Sequence, residues 1–341
     1  MSTALSLCGR NLVGFLSIAC FNLADPQILL GFLSVASIDF LKGGAVLLIE
    51  MDKYKKTREI GYGGFGNVYQ GCNRVTNENV TLKELWFPDE KEGVPSVVIK
   101  EISLLKEMEH SNIVRLLEVV SAVNENSVYL VYEDMECDLQ KFMNDCPKIA
   151  KDPDFIKRFL QQILCGLAYY HSHNILHQDL KPQNMWIDRF DYILKLADFG
   201  WARAFGGSFK KIGYLDVTHW YKAPELLRCQ QFSTPVDVWS VGCIFAEMVT
   251  RRPLFAEFSE VHQLLKIFSI LGTPTWPEGT TSHLFANCYS KDLAAAVPGL
   301  VTLEPAGIDL LSKMLCINPS GRITAHDALK HAYFDNIEFE V

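Results

Sequence analysis

The sequence has no apolar run long enough to span a membrane, no paired cysteines and no basic cluster, and each absence removes a class of protein. Near the N-terminus the charge-free stretches Asn11 to Ala24 and Pro26 to Ile38 are shorter than the roughly 18 to 20 apolar residues of a spanning helix, so membrane insertion is not expected. Ten cysteines are scattered singly from Cys8 to Cys316, with neither a C-x-x-C pair nor zinc-ligand spacing. They read as reduced thiols of a cytosolic or nuclear protein. The pair Lys210-Lys211 is too short for a nucleic-acid footprint, and a net charge of -8 opposes one. Charge is also scarce in residues 1 to 50, which carry only Arg10, Asp25, Asp39, Lys42 and Glu50. With a single Arg before its apolar run this segment makes a poor secretory signal, and it is read as an extension distinct from the rest. What is present is 341 residues with 49% apolar composition, enough to bury a large core and to form two lobes or domains.

Polar chemistry concentrates between His177 and Gly200. The order His177-Gln178-Asp179-Leu180-Lys181-Pro182-Gln183-Asn184 puts a carboxylate, an ammonium and a carboxamide on a loop stiffened by Pro182. An apolar strand follows, ending at Asp198-Phe199-Gly200. Asp or Asn alone usually caps a turn. Together at this spacing they equip a loop for phosphoryl transfer, a reaction that asks a protein to place a hydroxyl, hold magnesium and neutralise developing charge. Upstream, Gly61-Tyr62-Gly63-Gly64-Phe65-Gly66-Asn67-Val68 reads as a hairpin tip whose glycines let backbone N–H groups approach phosphates. A dinucleotide-binding loop would run from strand to helix, whereas here Val68-Tyr69 resumes a strand. The spacing of Phe155, Phe159, Ile163 and Leu167, with Leu160 and Leu164 beside them, predicts a helix with one buried face from Phe155 to His171. His171, His173 and His177 lie close enough to suggest a metal, but the first two sit where a helix ends, an ordinary place for histidine.

With these motifs in hand, residues 51 to about 335 resemble a Ser/Thr protein kinase of the cyclin-dependent, cell-division-control type, close to the plant A class. The resemblance implies an α+β bilobal fold over 54–334, with a small β-rich N-lobe (54–133), a larger helical C-lobe (136–334) and a tail from 335. It implies ATP and Mg2+ as cofactors. The nucleotide would be held by Ile60, Gly61, Tyr62, Gly63, Gly64, Phe65, Gly66, Asn67 and Val68, by Lys83 with its ion-pair partner Glu101, by the hinge residues Glu133 and Met135, and by Asp138 at the ribose. Asp179, Lys181, Asn184 and Thr218 would be catalytic, with Asn184 and Asp198 as metal ligands. The helix opened by Pro95 to Glu101 resembles the cyclin-binding helix, so a cyclin is an implied partner, alongside protein Ser/Thr substrates. Cell-cycle or transcription-linked phosphorylation, possible proline direction and a location in nucleus and cytoplasm follow from the same resemblance. Glu225 is expected to pair with Arg322, and the stretch Asp237-Val238-Trp239-Ser240-Val241-Gly242 to open a core helix.

Departures from the family also stand in the sequence. Val97, Val98 and Lys100 replace three residues of the cyclin-binding motif. Gly213 occupies the place of the activating threonine, while two of the three arginines that would receive its phosphate are Gln178 and Lys100, leaving Arg203. Gly64 and Phe65 stand where the inhibitory Thr-Tyr pair would be, Thr81 at the roof and Trp186 at the floor of the adenine site, and Asp216 and His219 on the surface that favours proline. These departures define an alternative expectation, a weakly active relative that serves as a cyclin-binding module.

Overall fold

A computed structural model describes residues 38–41, 44–47, 49–63, 66–86, 102, 105–106, 108–122, 127–197, 203–204, 218–228, 232–272 and 292–335. Its first part is a six-stranded sheet. In chain order the strands are β1 (Ile38–Leu41) and β2 (Gly44–Leu47), which pair only with each other, then β3 (Ile49–Glu50), β4 (Tyr54–Gly63), β5 (Gly66–Asn73), β6 (Asn79–Trp86), β7 (Leu116–Ala122) and β8 (Ser127–Glu133). The sheet runs β3-β7-β8-β6-β5-β4, antiparallel except for the β3 and β7 pair. Its edge therefore takes in Ile49–Glu50, two residues of the stretch read from sequence as the extension. Alternation sets the two faces. Val80 and Leu82 of β6 face an outer cluster with Tyr54, Val120, Tyr129 and Val131, whereas Leu85 and Leu130 belong to the main core.

The second part is helical. The helices are α1 (Leu139–Asp145), α2 (Pro153–Ser172), α3 (Pro224–Leu227), α4 (Pro235–Thr250), α5 (Glu260–Leu271), α6 (Leu293–Ala296), α7 (Pro305–Met314) and α8 (Ala325–Ala328). Four of them begin with Pro, whose missing N–H and fixed φ suit a first turn. Asp138 caps α1, Asp152 caps α2 and Ser259 caps α5, each through a side-chain oxygen that accepts a backbone N–H. The expected apolar face of α2 is present: Ile156, Phe159, Leu160, Ile163, Leu164, Leu167 and Tyr170 are buried. Gly166 on that face lets the helix approach the sheet's lower edge, since a Cβ there would lie 2.8 Å from the Asn112 carbonyl oxygen. In α4 every residue from Val236 to Met248 is buried, so it is the central helix of the core, as its apolar sequence predicts. Among the described residues no helix is long and apolar enough to cross a membrane.

Short strands carry the loops between the two parts: β9 (Cys137–Asp138), β10 (Ile175–Leu176), β11 (Met185–Asp188), β12 (Ile193–Leu196) and β13 (Arg203–Ala204). They form a three-stranded sheet in the order β12-β11-β9 and a two-stranded β10-β13 pair. Glu225 and Arg322 make the expected pair, with Arg322 Nη1 and Nη2 donating to the two carboxylate oxygens at 2.7 and 3.1 Å. The remaining guanidinium hydrogens go to the carbonyls of Pro235, Cys316 and Ile317, and its plane lies 5.1 Å from the Trp239 ring.

Candidate functional site

The loop that follows β10 is held from below by one carboxylate. Asp237, fully buried in the first turn of α4, accepts hydrogen bonds from the backbone N–H of His177 at 2.9 Å and of Gln178 at 2.8 Å, and contacts His171 Nε2 at 3.1 Å. Burial alone pushes the Asp237 carboxyl up, but His171, through its hydrogen bond and charge, together with His177 and the Gln178 amide, holds it below its ordinary value. Gln178 takes a positive φ of 68°. A non-glycine residue held there carries about 1 to 3 kcal/mol of strain, which its neighbours must offset. The Asp237 carboxylate is the group that does so.

Three of the four expected catalytic residues, Asp179, Lys181 and Asn184, are joined to one another on this support. Asp179 is 8% exposed, and its Oδ2 accepts from Lys181 Nζ at 2.8 Å and from Asn184 Nδ2 at 3.1 Å. Asn184 Nδ2 also donates to the Asp179 carbonyl at 2.8 Å. Pro182 starts a single turn, Pro182–Asn184, that folds Asn184 back toward Asp179. Both Asn184 side-chain bonds are given by nitrogen, which leaves its carbonyl oxygen as the atom offered to a cation. The strand end that precedes Asp198 is tied to the same loop. Ala197 donates its N–H to the Asn184 carbonyl at 2.9 Å, and its carbonyl lies 2.9 Å from His177 Nε2. The three histidines have separate structural bonds: His171 with Asp237, His173 Nδ1 with the Tyr169 carbonyl, and His177 with Ala197.

Lys83 is partly buried on β6, opposite Val68 on one side and Leu130 on the other. At the glycine hairpin, Ile60, Gly61, Asn67 and Val68 lie on paired strands, with Tyr62 opposite Asn67 and Gly63 opposite Gly66. A Cβ on Gly61 would meet only Val68 Cβ, at 3.8 Å, an ordinary contact, and its φ is not positive. Nothing within the described chain requires glycine there, which fits a backbone kept bare for a ligand such as a triphosphate. Glu133, at the end of β8, accepts the Arg115 N–H at 2.8 Å and pairs with Lys195 at 2.7 Å, while Met135 beyond it is buried. Asp138, assigned by resemblance to the ribose, also spends one oxygen on capping α1 through the Lys141 N–H at 2.8 Å. Trp186 is half-buried between Asp138 and Lys195 across the three-stranded sheet. Among the described residues, the Thr81 hydroxyl is buried without a hydrogen-bond partner.

Thr218 is partly buried, and among the described residues it makes no hydrogen bond to Asp179. The segment after it is firmly held: the Trp220 indole donates to the Glu257 carbonyl, Gln263 to the Trp220 carbonyl, and Tyr221 to Glu247 at 2.6 Å. Lys222 in this segment feels the Asp179 and Glu260 carboxylates, although burial lowers its pKa. Sequence reasoning assigned Lys222 nothing, and read Asp237 only as the opening of a helix. A charged residue leading an apolar helix was the available signal for Asp237. Gly64, Phe65, the stretch Pro95 to Glu101, Asp198, Gly213 and Asp216 lie outside the described residues, as do the side chains of Tyr62 and Arg203.

A family model described as the protein kinase domain matches residues 54–334. That range begins at the first residue of β4 and ends with the last short helical turn, Ala332–Phe334, so it takes in every strand of the six-stranded sheet but β3 and all the helices from α1 to α8. The chain belongs to the protein kinase domain family and has its bilobal α+β fold.

Proposed function

We propose that this protein kinase is an ATP- and Mg2+-dependent serine/threonine kinase of the cyclin-dependent type, acting on protein substrates in the nucleus and cytoplasm. The observation that carries the reading is the Asp179 carboxylate, one oxygen of which accepts from Lys181 and Asn184 while the other, among the described residues, makes no hydrogen bond and would meet an incoming hydroxyl. Asp179 orients that hydroxyl and accepts its proton. Lys181, already 2.8 Å from Asp179, neutralises charge on the transferred phosphoryl group. Asn184 and Asp198 would hold magnesium, which would offset the negative charge of the phosphates. Lys83, with Glu101 as its partner, would grip the α- and β-phosphates, and backbone N–H groups of the glycine motif would cover them. Thr218 would steady the substrate side of Asp179.

A cyclin seated on the Pro95 to Glu101 helix would bring Glu101 to Lys83 and so switch activity on. Gln178 and Gly213 together remove the phosphothreonine contact of the activation segment, so docking rather than phosphorylation is the proposed control. A second reading, a cyclin-binding module of low activity, is favoured by the unpaired Thr81 hydroxyl and the Trp186 side chain beside the adenine site. One experiment separates the two readings. The full chain is incubated with each of a panel of cyclins, ATP, magnesium and a Ser/Thr protein substrate. Kinase function predicts cyclin-stimulated phosphate incorporation; a stable cyclin complex with no incorporation above the Asp179→Asn background would support the module instead.

A further inference from the structure

The outer face of the N-terminal sheet carries a polar network of which the nucleotide-site reading uses only Asn67. Asn67 Nδ2 donates to the Tyr69 hydroxyl at 3.0 Å, and Tyr69 donates to Glu84 Oε2 at 3.0 Å. The second oxygen of Glu84 accepts a short bond from the Tyr129 hydroxyl and faces Lys56 Nζ at 3.5 Å. Lys56 in turn donates to Tyr129 at 2.6 Å and lies over both rings, 4.7 Å from the Tyr69 centroid and 4.4 Å from that of Tyr129. Each hydroxyl donates once, and the carboxylate has its counter-charge, so the network closes as a chain of compatible bonds. Glu84 is 6% exposed and sits beside Leu82, Val120 and Val131, all fully buried. A carboxylate in such a place is costly unless paired, and an apolar residue would fill it at less cost.

The network's position gives it a use. It crosses β4, β5, β6 and β8, four neighbouring strands. The backbone ladder between β4 and β5 is interrupted by irregularities at Lys56/Arg58 and at Glu59/Gly61, just before the glycine turn. Lys56, at the first of these irregularities, is the side chain that ties β4 to Glu84 and Tyr129. Asn67 stands one residue from Val68, which pairs with Lys83, and Glu84 directly follows Lys83. On alternating strands the network faces outward while Val68 and Lys83 face inward. We propose that the Asn67–Tyr69–Glu84 bonds are a positioning strap that sets the glycine hairpin over the phosphates gripped by Lys83. The inference rests on the kinase reading of that cleft, and Tyr69 and Glu84 act through the hairpin without touching the nucleotide.

The test is calorimetric titration of the full chain with ATP and magnesium, comparing the wild type with Tyr69→Phe and Tyr54→Phe. Tyr69→Phe keeps the ring and removes the two bonds. Tyr54→Phe removes a comparable bond, to Glu118 at 2.7 Å, on the same sheet away from the turn. ATP affinity is expected to fall about three- to tenfold in Tyr69→Phe, the equivalent of one lost hydrogen bond, and to stay at the wild-type value in Tyr54→Phe. Unchanged affinity in Tyr69→Phe, or an equal fall in both variants, overturns the strap while leaving the nucleotide site standing. A wild-type chain that binds no ATP overturns the reading of the cleft and the strap with it.

Discussion

Asp237 and Glu225 illustrate how single buried charges shape this molecule. Asp237 lies beneath the loop that carries Asp179, 59 and 60 residues along the chain from the two backbone amides whose bonds it accepts. Replacing it with Asn removes the charge and one acceptor, and leaves a buried donor unmet. The expected loss is about 1 to 3 kcal/mol in a denaturant titration, with phosphoryl transfer falling further than stability because Gln178 no longer has its φ enforced. Equal activity in the two proteins would show that the loop holds its own shape. Glu225→Ala leaves Arg322 buried with its charge uncompensated, and a loss of about 3 to 5 kcal/mol is expected. A loss below about 1 kcal/mol would mean that the three carbonyls around the guanidinium suffice.

At the scale of elements, much was legible in advance because it is local. Periodicity marked α2, an apolar run marked α4, and glycine spacing between alternating residues marked the β4 and β5 hairpin. The Pro182–Asn184 turn is readable for the same reason, since it begins at Pro182 and is closed within the five-residue step from Asp179 to Asn184. Ties between distant elements were not. No local signal joins Asp237 to His177, or Glu84 to Lys56, and a charged residue on an apolar element shows only that some partner must exist. The Glu225 and Arg322 pair was named beforehand through family resemblance alone. Gly166→Ala tests a close approach of the same kind: its Cβ would press on the Asn112 carbonyl and, at 3.0 Å, on Leu196. Overpacking there is expected to cost about 1 to 3 kcal/mol, and an unchanged unfolding midpoint would mean that α2 can shift away.

The connection between the sheet and α2 also carries a pH dependence. His110 Nδ1 accepts the Asn112 N–H at 2.9 Å, and the ring lies 5.0 Å from that of Tyr169. Burial lowers its pKa, and burial, helped by the Lys222 charge, does the same to His219, the residue after Thr218. When unfolded, both take up a proton near the ordinary histidine value of about 6.5, whereas the folded state resists protonation until lower pH. Their contribution is therefore constant above that value and stability falls as pH drops below it. Unfolding midpoints at about pH 7.5 and 5.5 should differ in this sense, and His110→Gln with His219→Gln should narrow the difference. A difference untouched by both substitutions would assign it to other groups.

For the whole molecule, the claim is that a sheet and a helical bundle meet around one carboxylate. The sheet carries Lys83 and, at Gly61, backbone with open space beside it; the helical part carries Asp179, Lys181 and Asn184 on a loop anchored to its central helix. The direct measurement is transfer of labelled γ-phosphate from ATP to a Ser/Thr protein by wild type and Asp179→Asn, with ATP affinity determined on the same samples. The account predicts that transfer falls by about two to four orders of magnitude, the usual worth of a positioned base, while ATP affinity stays within about twofold because Asp179 does not hold the nucleotide. Equal transfer by both proteins, or a loss of transfer matched by an equal loss of ATP affinity, would contradict it.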